Sequence, residues 1–381
     1  MTSINKRVEF IYDFLENHKL PKMIISNDEL NSSPINELLN KKKIMVDFNN
    51  IIKMLNGKIM YIKSGSTGHV FKGILNNNIE IAIKVVGFSK KGNYGLPSNL
   101  ARPENTELCM LKLFSNLVIN ELTPHIVLPI TTFYSNTASF ICNNLRKKLV
   151  NCTKYNQFIG KCENGEFYDY CSILISEWAN NGDLLDYIRL FHSNLTLAHW
   201  RNIFFQIIST LAIIQEKYPT FRHNDLKANN ILLQTTSKDK KEFKYIINNN
   251  EYIIPNIGIQ IKIWDFDFAC IPDIINNEKV NATWTNKINV TPVQNRYYDL
   301  HYFFNTLVKK GFYPELLTSD KIDNEIKKFV LRIVPLKLLK KNKYVSSRGR
   351  ILIKKELTTP AKIIMHDPFF EIYRNFKPDN K

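Results

Sequence analysis

The chain has 381 residues, of which 44% are hydrophobic and 12% aromatic, a composition that excludes an intrinsically disordered protein. It carries 52 basic and 35 acidic residues, which gives a formal net charge of +17. Most of the basic residues are Lys, and Asn and Ile are abundant too. We therefore interpret the charge as the codon bias of an A+T-rich genome and do not predict nucleic acid as the primary partner. No uninterrupted apolar run of about 18 residues is present, so no membrane span is predicted.

The N-terminus and the cysteines indicate a reducing compartment, and we expect a cytoplasmic protein. Residues 1–10 carry charges and lack the apolar core of a signal peptide. The six cysteines form no Cys-x-x-Cys pair, so a structural zinc site is not predicted.

Hydrophobic periodicity predicts strands in the first half of the chain and mainly helices in the second. The predicted strands are 59–71, 80–86, 126–133 and 171–178, and the predicted helices are 104–118, 195–218, 297–310 and 321–331. This order favours an α+β fold with a small β-rich N-lobe and a larger helical C-lobe. The predicted divisions are an extension (1–55), an N-lobe (56–176), a hinge with C-lobe (177–375) and a tail (376–381). Two polar insertions, 135–170 and 234–260, are predicted to be extended hairpins or surface loops.

The first chemical motif is a pair of glycines between strand-like runs, Gly65 and Gly68. Glycine lets a backbone approach a phosphate closely, although two glycines are equally typical of a plain hairpin. Lys84 follows on a strand, with the small Ala82 on the same face. A carboxylate on the next helix could hold the lysine, and both Glu107 and Glu104 are candidates at helical spacing.

The densest group of polar residues lies just before an apolar strand and contains Asp225, Lys227 and Asn230. This set can supply a carboxylate for a hydroxyl proton, a cation for a moving phosphoryl group and an amide oxygen for Mg²⁺. A second apolar strand ends at Asp265, and Mg²⁺ prefers such oxygen ligands.

Together these motifs resemble the signature set of eukaryotic protein kinases over residues 57–374, and in particular the serine/threonine kinases of large DNA viruses. The resemblance implies a two-lobed kinase-like fold, ATP and Mg²⁺ as cofactors, and serine or threonine hydroxyls of proteins as acceptors. The catalytic residues it implies are Asp225, Lys227, Lys84 and Glu107. The nucleotide-binding residues it implies are Gly65, Ser66, Thr67, Gly68, Val70, Ala82, Lys84, Glu177, Ala179, Asn230 and Asp265. The metal ligands it implies are Asn230, Asp265 and Asp267. Asp299 resembles the aspartate that anchors the C-lobe.

The chain departs from the kinase pattern in several places. Lys63 stands at the first glycine of the loop, Asn224 replaces the arginine before the catalytic aspartate, and Asp267 replaces the glycine after the metal-binding aspartate. No Ala-Pro-Glu precedes Asp299, and Thr291-Pro292-Val293 is the nearest candidate. Because the missing arginine usually reads a phosphorylated activation loop, the resemblance leaves control by phosphorylation in doubt.

Three alternatives stay open from the sequence. His223-Asn224-Asp225 with Asp267 also resembles small-molecule phosphotransferases such as choline and aminoglycoside kinases. A pseudokinase scaffold would be favoured if one of the four central residues were missing, but Lys84, Asp225, Asn230 and Asp265 are all present. A nucleic-acid binder rests on the net charge alone and would show a steep salt dependence of binding.

Overall fold

The computed structural model describes residues 3–40, 44–55, 58–64, 68–75, 78–92, 94–141, 152–237 and 239–374. They form two compact units. Unit 1 contains Ser3–Ile119 and Val127–Trp178, and unit 2 contains Asn120–Ile126 and the chain from Ala179 onward. The extension predicted for residues 1–55 thus lies in unit 1, and the chain passes into unit 2 two residues beyond the predicted division at 176.

Unit 1 is built on an antiparallel sheet of five strands in the order β1-β2-β3-β5-β4. The strands are β1 (Ile59–Ser64), β2 (Gly68–Ile74), β3 (Glu80–Ser89), β4 (Pro129–Asn136) and β5 (Phe167–Glu177). Side chains alternate between the two faces of a strand. On β3, Ile81, Ile83 and Val85 are therefore buried together on one face, and Ala82 and Lys84 share the other.

A largely buried helix, α5 (Pro103–Ile119), packs against β4 of this sheet. The N-terminal segment contains α1 (Ile4–His18), α2 (Asn27–Ser32), α3 (Ile35–Leu39) and α4 (Phe48–Met54), of which α1 and α3 pack against α5. The Lys112 ammonium on α5 donates to the Leu38 carbonyl. The Ile25 amide donates to Ser115 Oγ at 3.0 Å. The N-terminal segment is therefore joined by hydrogen bonds to the helix that carries both candidate glutamates.

The two insertions have different structures. Residues 135–170 contain α6 (Thr137–Ile141) and α7 (Thr153–Glu163), so the prediction of a hairpin or loop is wrong there, while 142–151 lie outside the described residues. Phe140 and Phe158 from these helices pack on His69. This aromatic contact stabilises the two helices, which the polar sequence does not predict. The second insertion is confirmed as a hairpin of β7 (Glu242–Ile247) and β8 (Asn250–Pro255). Its turn residues Asn248 and Asn249 have φ of 47° and 61°, as a tight hairpin turn requires.

Unit 2 is mainly helical and contains one further strand pair. Its helices are α8 (Leu184–Phe191), α9 (Leu197–Lys217), α10 (Glu278–Asn281), α11 (Thr283–Asn286), α12 (Tyr298–Leu307), α13 (Glu315–Thr318), α14 (Asn324–Ile333) and α15 (Pro360–His366). Strands β6 (Ile231–Thr235) and β9 (Ile259–Ile263) pair antiparallel. The strand-rich unit 1 and the helix-rich unit 2 confirm the predicted α+β class.

Helix α9 is the core helix of unit 2. It is the one helix among the described residues with the length and hydropathy of a membrane span, and 78% of its most apolar window is buried inside the protein. The central helix of a folded domain meets the same criteria, so this is weak evidence for a span.

Candidate active site

In unit 1, the Lys84 ammonium is paired with the Glu107 carboxylate. Lys84 Nζ lies 2.6 Å from Glu107 Oε1 and 2.7 Å from Oε2, and both side chains are largely buried. Glu104, the competing candidate, binds the buried guanidinium of Arg102 at 3.1 Å and 3.2 Å. The choice that the sequence leaves open between the two glutamates is thereby settled in favour of Glu107 as the partner of Lys84.

The strand register places other expected nucleotide-binding residues on the same face as Lys84. Val70 lies directly opposite Lys84 on β2, and Ala82 precedes it by two residues on β3. A Cβ atom on Gly68 would come within 3.8 Å of Lys84 Cε and 3.3 Å of Val86 Cγ2, so the β2 backbone approaches the lysine closely. Gly65, Ser66 and Thr67, the tip of the predicted glycine-rich loop, lie outside the described residues.

Glu177 ends β5, and its side chain has partners of its own. The Arg7 guanidinium donates to Glu177 from Nε at 2.8 Å and from Nη2 at 2.6 Å. The Leu128 amide donates to Glu177 Oε1 at 2.9 Å. The Glu177 amide donates to the Leu128 carbonyl at 3.1 Å, so side chain and main chain both have partners within unit 1. Ala179, which the resemblance places with Glu177 at the nucleotide, is the first residue of the chain after Trp178 to belong to unit 2.

In unit 2, Asp299 holds the loop that carries Asp225. The amides of His223 and Asn224 each donate to the Asp299 carboxylate at 2.8 Å. Asp299 is fully buried at the start of α12, and burial raises the pKa of its carboxyl, while His223 and Arg222 oppose that shift. Asn224 adopts the left-handed conformation with φ of 63°, which Asn tolerates better than most residues. The Asp299 carboxylate thus fixes the main-chain conformation of the loop that carries Asp225.

Both oxygens of the Asp225 carboxylate accept hydrogen bonds from cations. Lys227 Nζ lies 2.8 Å from Oδ2, and Arg350 Nη2 lies 2.6 Å from Oδ1. The Asn230 amide donates to the Asp225 carbonyl at 2.9 Å and more weakly to Oδ2 at 3.3 Å. Asp225, Lys227 and Asn230, which the sequence groups by spacing, are therefore brought together by the fold.

Asn230 and Asp265 lie at the same end of the β6–β9 pair. Ile231 pairs with Ile263, and the Trp264 amide donates to the Asn230 carbonyl at 3.2 Å. Asn230 precedes β6 directly, and Asp265 follows β9 by two residues with φ of 67°. The side-chain nitrogen of Asn230, Nδ2, donates to Asp225, so the side-chain oxygen Oδ1 is the atom that could bind a cation. One carboxylate and one amide oxygen fit Mg²⁺, which takes few protein ligands when phosphates supply the others.

Asp267, the third residue expected at the metal, has a basic partner. Lys279 Nζ lies 2.5 Å from Asp267 Oδ2 and 3.5 Å from the centroid of the Phe268 ring. Within the described residues, no group of three His, Cys, Asp or Glu side chains is arranged to hold a metal ion. A metal site here would therefore depend on the Asn230 oxygen and on phosphate oxygens in addition to carboxylates.

Two arginines of this site were missed by the sequence reasoning. Arg222, which is 1% exposed, donates to Thr291 Oγ1 at 3.1 Å and to the Val293 carbonyl at 3.0 Å. Arg350 reaches Asp225 from 125 residues further along the chain. No local motif marks either residue, and the arginine missing at Asn224 bears in the sequence analysis only on control by phosphorylation.

Comparisons with known proteins identify the family. The model of the poxvirus serine/threonine protein kinase family matches residues 110–371, a span that contains Asp225, Asp265 and Arg350 and begins after Lys84 and Glu107. A protein of Acanthamoeba polyphaga mimivirus named as a serine/threonine-protein kinase is 44% identical over 379 residues, covering 97% of this chain and 80% of the relative.

Two further relatives are also named as serine/threonine-protein kinases. A second mimivirus protein with the same kind of name is 25% identical over 364 residues, covering 84% of this chain and 90% of the relative. Serine/threonine-protein kinase 2 of Monkeypox virus is 33% identical over 111 residues, covering 29% of this chain and 22% of the relative. The chain belongs to the poxvirus serine/threonine protein kinase family, and it is an ATP-dependent enzyme that phosphorylates serine or threonine hydroxyls of proteins.

Proposed function

We propose that Asp225 orients the acceptor hydroxyl and takes its proton, while Lys227 stabilises the phosphoryl group during its transfer. The observation that carries this proposal is the hydrogen-bonded cluster of Asp225, Lys227 and Asn230. A carboxylate that accepts a proton has to lie within hydrogen-bond reach of the hydroxyl, and a cation beside it balances the charge that develops on the phosphoryl oxygens. Lys227 is partly exposed and can move toward a phosphate.

Lys84 is proposed to bind the α- and β-phosphates of ATP, with Glu107 holding its ammonium in place. The short, largely buried ion pair supports this role, because a buried lysine that keeps its charge needs a paired carboxylate. Gly65, Ser66, Thr67 and Gly68 are proposed to cover the phosphates. Val70 and Ala82 are proposed to contact the adenine ring, and the main chains of Glu177 and Ala179 to hydrogen-bond its edge.

Asp265 and Asn230 are proposed to bind Mg²⁺, which would neutralise phosphate charge when present. Asp267 is the proposed ligand of a second Mg²⁺, and for this role Lys279 would have to release its carboxylate. The protein's own contribution is then to position the hydroxyl and the phosphates and to supply fixed charges, since phosphoryl transfer asks little covalent chemistry of it. We also propose a cytoplasmic location, in the host cell or in a virion.

A single substitution tests the role of Asp225. Asp225→Asn keeps the size of the side chain and removes its charge, so we expect kcat to fall by about 10² or more, as loss of general-base help typically does. ATP affinity should change little, because Asp225 is not proposed to bind the nucleotide. Asp320→Asn, at an exposed aspartate of unit 2, is the matched control. Parent-like turnover in Asp225→Asn would contradict the role.

The acceptor is tested by offering labelled ATP to a mixture of proteins, choline and an aminoglycoside. The His-Asn-Asp motif and Asp267 favour a small-molecule acceptor, whereas membership of a protein kinase family favours a protein acceptor. We expect label on serine and threonine of proteins alone. Label on choline or the aminoglycoside would support the phosphotransferase alternative, and no turnover at all would support a scaffold.

A further inference from the structure

The segment that carries Arg350 folds back on itself beside the Asp225 loop. Val345 bridges Ile351, and the Leu352 amide donates to the Tyr344 carbonyl. The turn contains Gly349 at φ of 84°, a conformation that L side chains rarely adopt. A Cβ atom there would also clash with the Lys309 side chain, and the Asn305 amide donates to the Gly349 carbonyl at 2.6 Å. The turn is therefore built tightly against α12 and fixes the position of the next residue, Arg350.

Arg350 is only 5% exposed, and the recorded contacts of its side chain are with the Asp225 loop and α12. Nη2 donates to Asp225 Oδ1 at 2.6 Å, and Nη1 donates to the Asn224 carbonyl and to the Tyr298 hydroxyl at 3.1 Å. The guanidinium lies 4.1 Å from the centroid of the Tyr302 ring. Burying a guanidinium is costly unless it is paired and hydrogen-bonded, and this one is held on both Nη atoms and on one face.

The contact occurs where the chain lacks an arginine in the loop itself. Asn224, the residue before Asp225, points its amide at the Phe268 carbonyl at 3.0 Å and at Cys270 Sγ, and it supplies no charge. Arg222, the nearest arginine in sequence, is directed at Asn289, Thr291 and Val293. Among the described residues, the basic side chains recorded on the Asp225 carboxylate are Arg350 on Oδ1 and Lys227 on Oδ2.

The two cations are not equivalent. Lys227 is on a flexible stem and its side chain is 24% exposed, whereas the Arg350 side chain is 6% exposed and fixed by four contacts. A planar guanidinium also restricts the carboxylate it binds more than an ammonium does. If Lys227 leaves Oδ2 for a phosphate, Arg350 keeps Oδ1 in place, and Oδ2 becomes the oxygen that faces the acceptor hydroxyl.

We propose that Arg350 is a positioning residue for catalysis, which fixes the rotation of the Asp225 carboxylate so that Oδ2 takes the proton of the acceptor hydroxyl. This inference rests on the proposed role of Asp225 and adds a residue to it. Arg350 touches neither substrate nor nucleotide in this proposal, so it should act on kcat and leave the binding of ATP unchanged.

The test is a double-mutant cycle with Asp225. Arg350→Met in the parent should lower kcat by about 10²-fold, since a misplaced catalytic group can cost that much, and Arg350→Lys should recover part of the loss. In the Asp225→Asn background the same Arg350→Met change should cost about twofold or less, because residues that act as a unit are not additive. The KM for ATP and the Kd for ATP by calorimetry should stay near the parent values in every variant.

Arg332→Met is the matched control. Arg332 forms a two-bond ion pair with Asp367 at 2.6 Å and 2.9 Å in the same unit, so the change removes an Arg–Asp ion pair, here a more exposed one, away from Asp225. Its kcat should equal that of the parent. Thermal unfolding of each variant reports on folding, and if Arg350→Met does not fold, the Arg350→Lys change in both backgrounds gives the same comparison.

The outcomes separate the inference from the proposed function. An unchanged kcat in Arg350→Met, or an equal loss in both backgrounds, overturns the positioning role while Asp225 keeps its own. A parent-like kcat in Asp225→Asn alone overturns the role of Asp225 and the inference with it. A loss confined to ATP affinity would place Arg350 in nucleotide binding and also overturn the inference.

Discussion

Two carboxylates on α5 lie three residues apart, and each holds a different basic side chain. Glu107 pairs with Lys84 at 2.6 Å, whereas Glu104 pairs with Arg102 at 3.1 Å. We therefore expect Glu107→Gln to lower kcat/KM by about tenfold or more, because a neutral amide holds the ammonium less firmly than a carboxylate does. Steady-state kinetics at varied ATP concentration measures the effect.

Glu104→Gln is the control, since it makes the same chemical change one helical turn away. Its kcat/KM should stay close to that of the parent, although its stability is expected to fall because Arg102 is buried. Equal losses of kcat/KM in the two variants would mean that α5 is being disturbed as a whole and that the Lys84–Glu107 pair has no special role.

Asp267 could serve either in an ion pair with Lys279 or as the ligand of a second Mg²⁺, and a titration with Mg²⁺ distinguishes the two roles. Its ion pair with Lys279 ties the residues after Asp265 to α10. If Asp267 binds a second Mg²⁺, as proposed, we expect Asp267→Asn to need more Mg²⁺ for half-maximal rate, whereas Lys279→Met should not, because it leaves the carboxylate in place. If Asp267 only forms the ion pair, the two variants should instead lower activity to a similar extent and leave that Mg²⁺ concentration unchanged, because each removes the same contact.

The segment between β9 and α12 is anchored near both ends by hydrogen bonds to other residues of the protein. Asn277 Nδ2 donates to the carbonyls of Asp267 and Ala269 at 2.9 Å, and Arg222 binds Asn289, Thr291 and Val293 nearer α12. Neutral carbonyl and hydroxyl groups thus occupy the Nη atoms of Arg222, and no phosphate is needed for these contacts.

This arrangement predicts activity without phosphorylation of the segment. Protein made in bacteria and treated with a phosphatase should keep the kcat of untreated protein within about twofold, which is small beside the losses expected for the catalytic variants. Mass spectrometry confirms removal of phosphate. A loss of activity on treatment, with recovery after incubation with ATP, would show that a phosphate on this segment does control the enzyme.

At the level of elements, the sequence predicted well what local patterns encode. The strands around Lys84, the long helix α9 and the strand ends at Asn230 and Asp265 all follow from periodicity and from polar residues at the ends of apolar runs. Helices α6 and α7 were missed because their sequences are polar and short, and their apolar residues serve one aromatic cluster with His69. Such a contact depends on tertiary packing and leaves no periodic signal.

The site was predictable to the same extent. Spacing groups Asp225, Lys227 and Asn230 because they lie within six residues, and the fold brings them together. Spacing could not choose between Glu104 and Glu107, since both lie on one helix within reach of a neighbouring strand. It could not find Arg350 either, because a contact across 125 residues is set by the fold of the intervening chain.

At the scale of the whole molecule, a buried histidine with a lowered pKa lies in each unit, His69 in unit 1 and His301 in unit 2. His69 in unit 1 packs against Tyr155 and Phe158, and burial lowers its pKa to about 4. His301 in unit 2 donates from Nε2 to the Leu338 carbonyl at 3.0 Å, and burial likewise lowers its pKa to about 4. Both groups therefore stay neutral in the folded protein at pH values where they are charged in the unfolded chain.

The sign of the pH dependence follows from these lowered values. In the unfolded chain the two histidines have a pKa near the usual 6.5, so between about pH 6.5 and pH 4 the unfolded chain binds protons that the folded protein does not. Their contribution to stability is therefore complete above about pH 6.5 and is lost as the pH falls toward 4. From pH 7.5 to pH 5.0 each histidine should lower the free energy of unfolding by about 2 kcal/mol.

Urea unfolding across this range should show the loss. His69→Phe and His301→Gln should each flatten the acid limb by about 2 kcal/mol, whatever their stability at pH 7.5, because neither replacement titrates. Acid limbs as steep as that of the parent in both variants would assign the pH dependence to other groups.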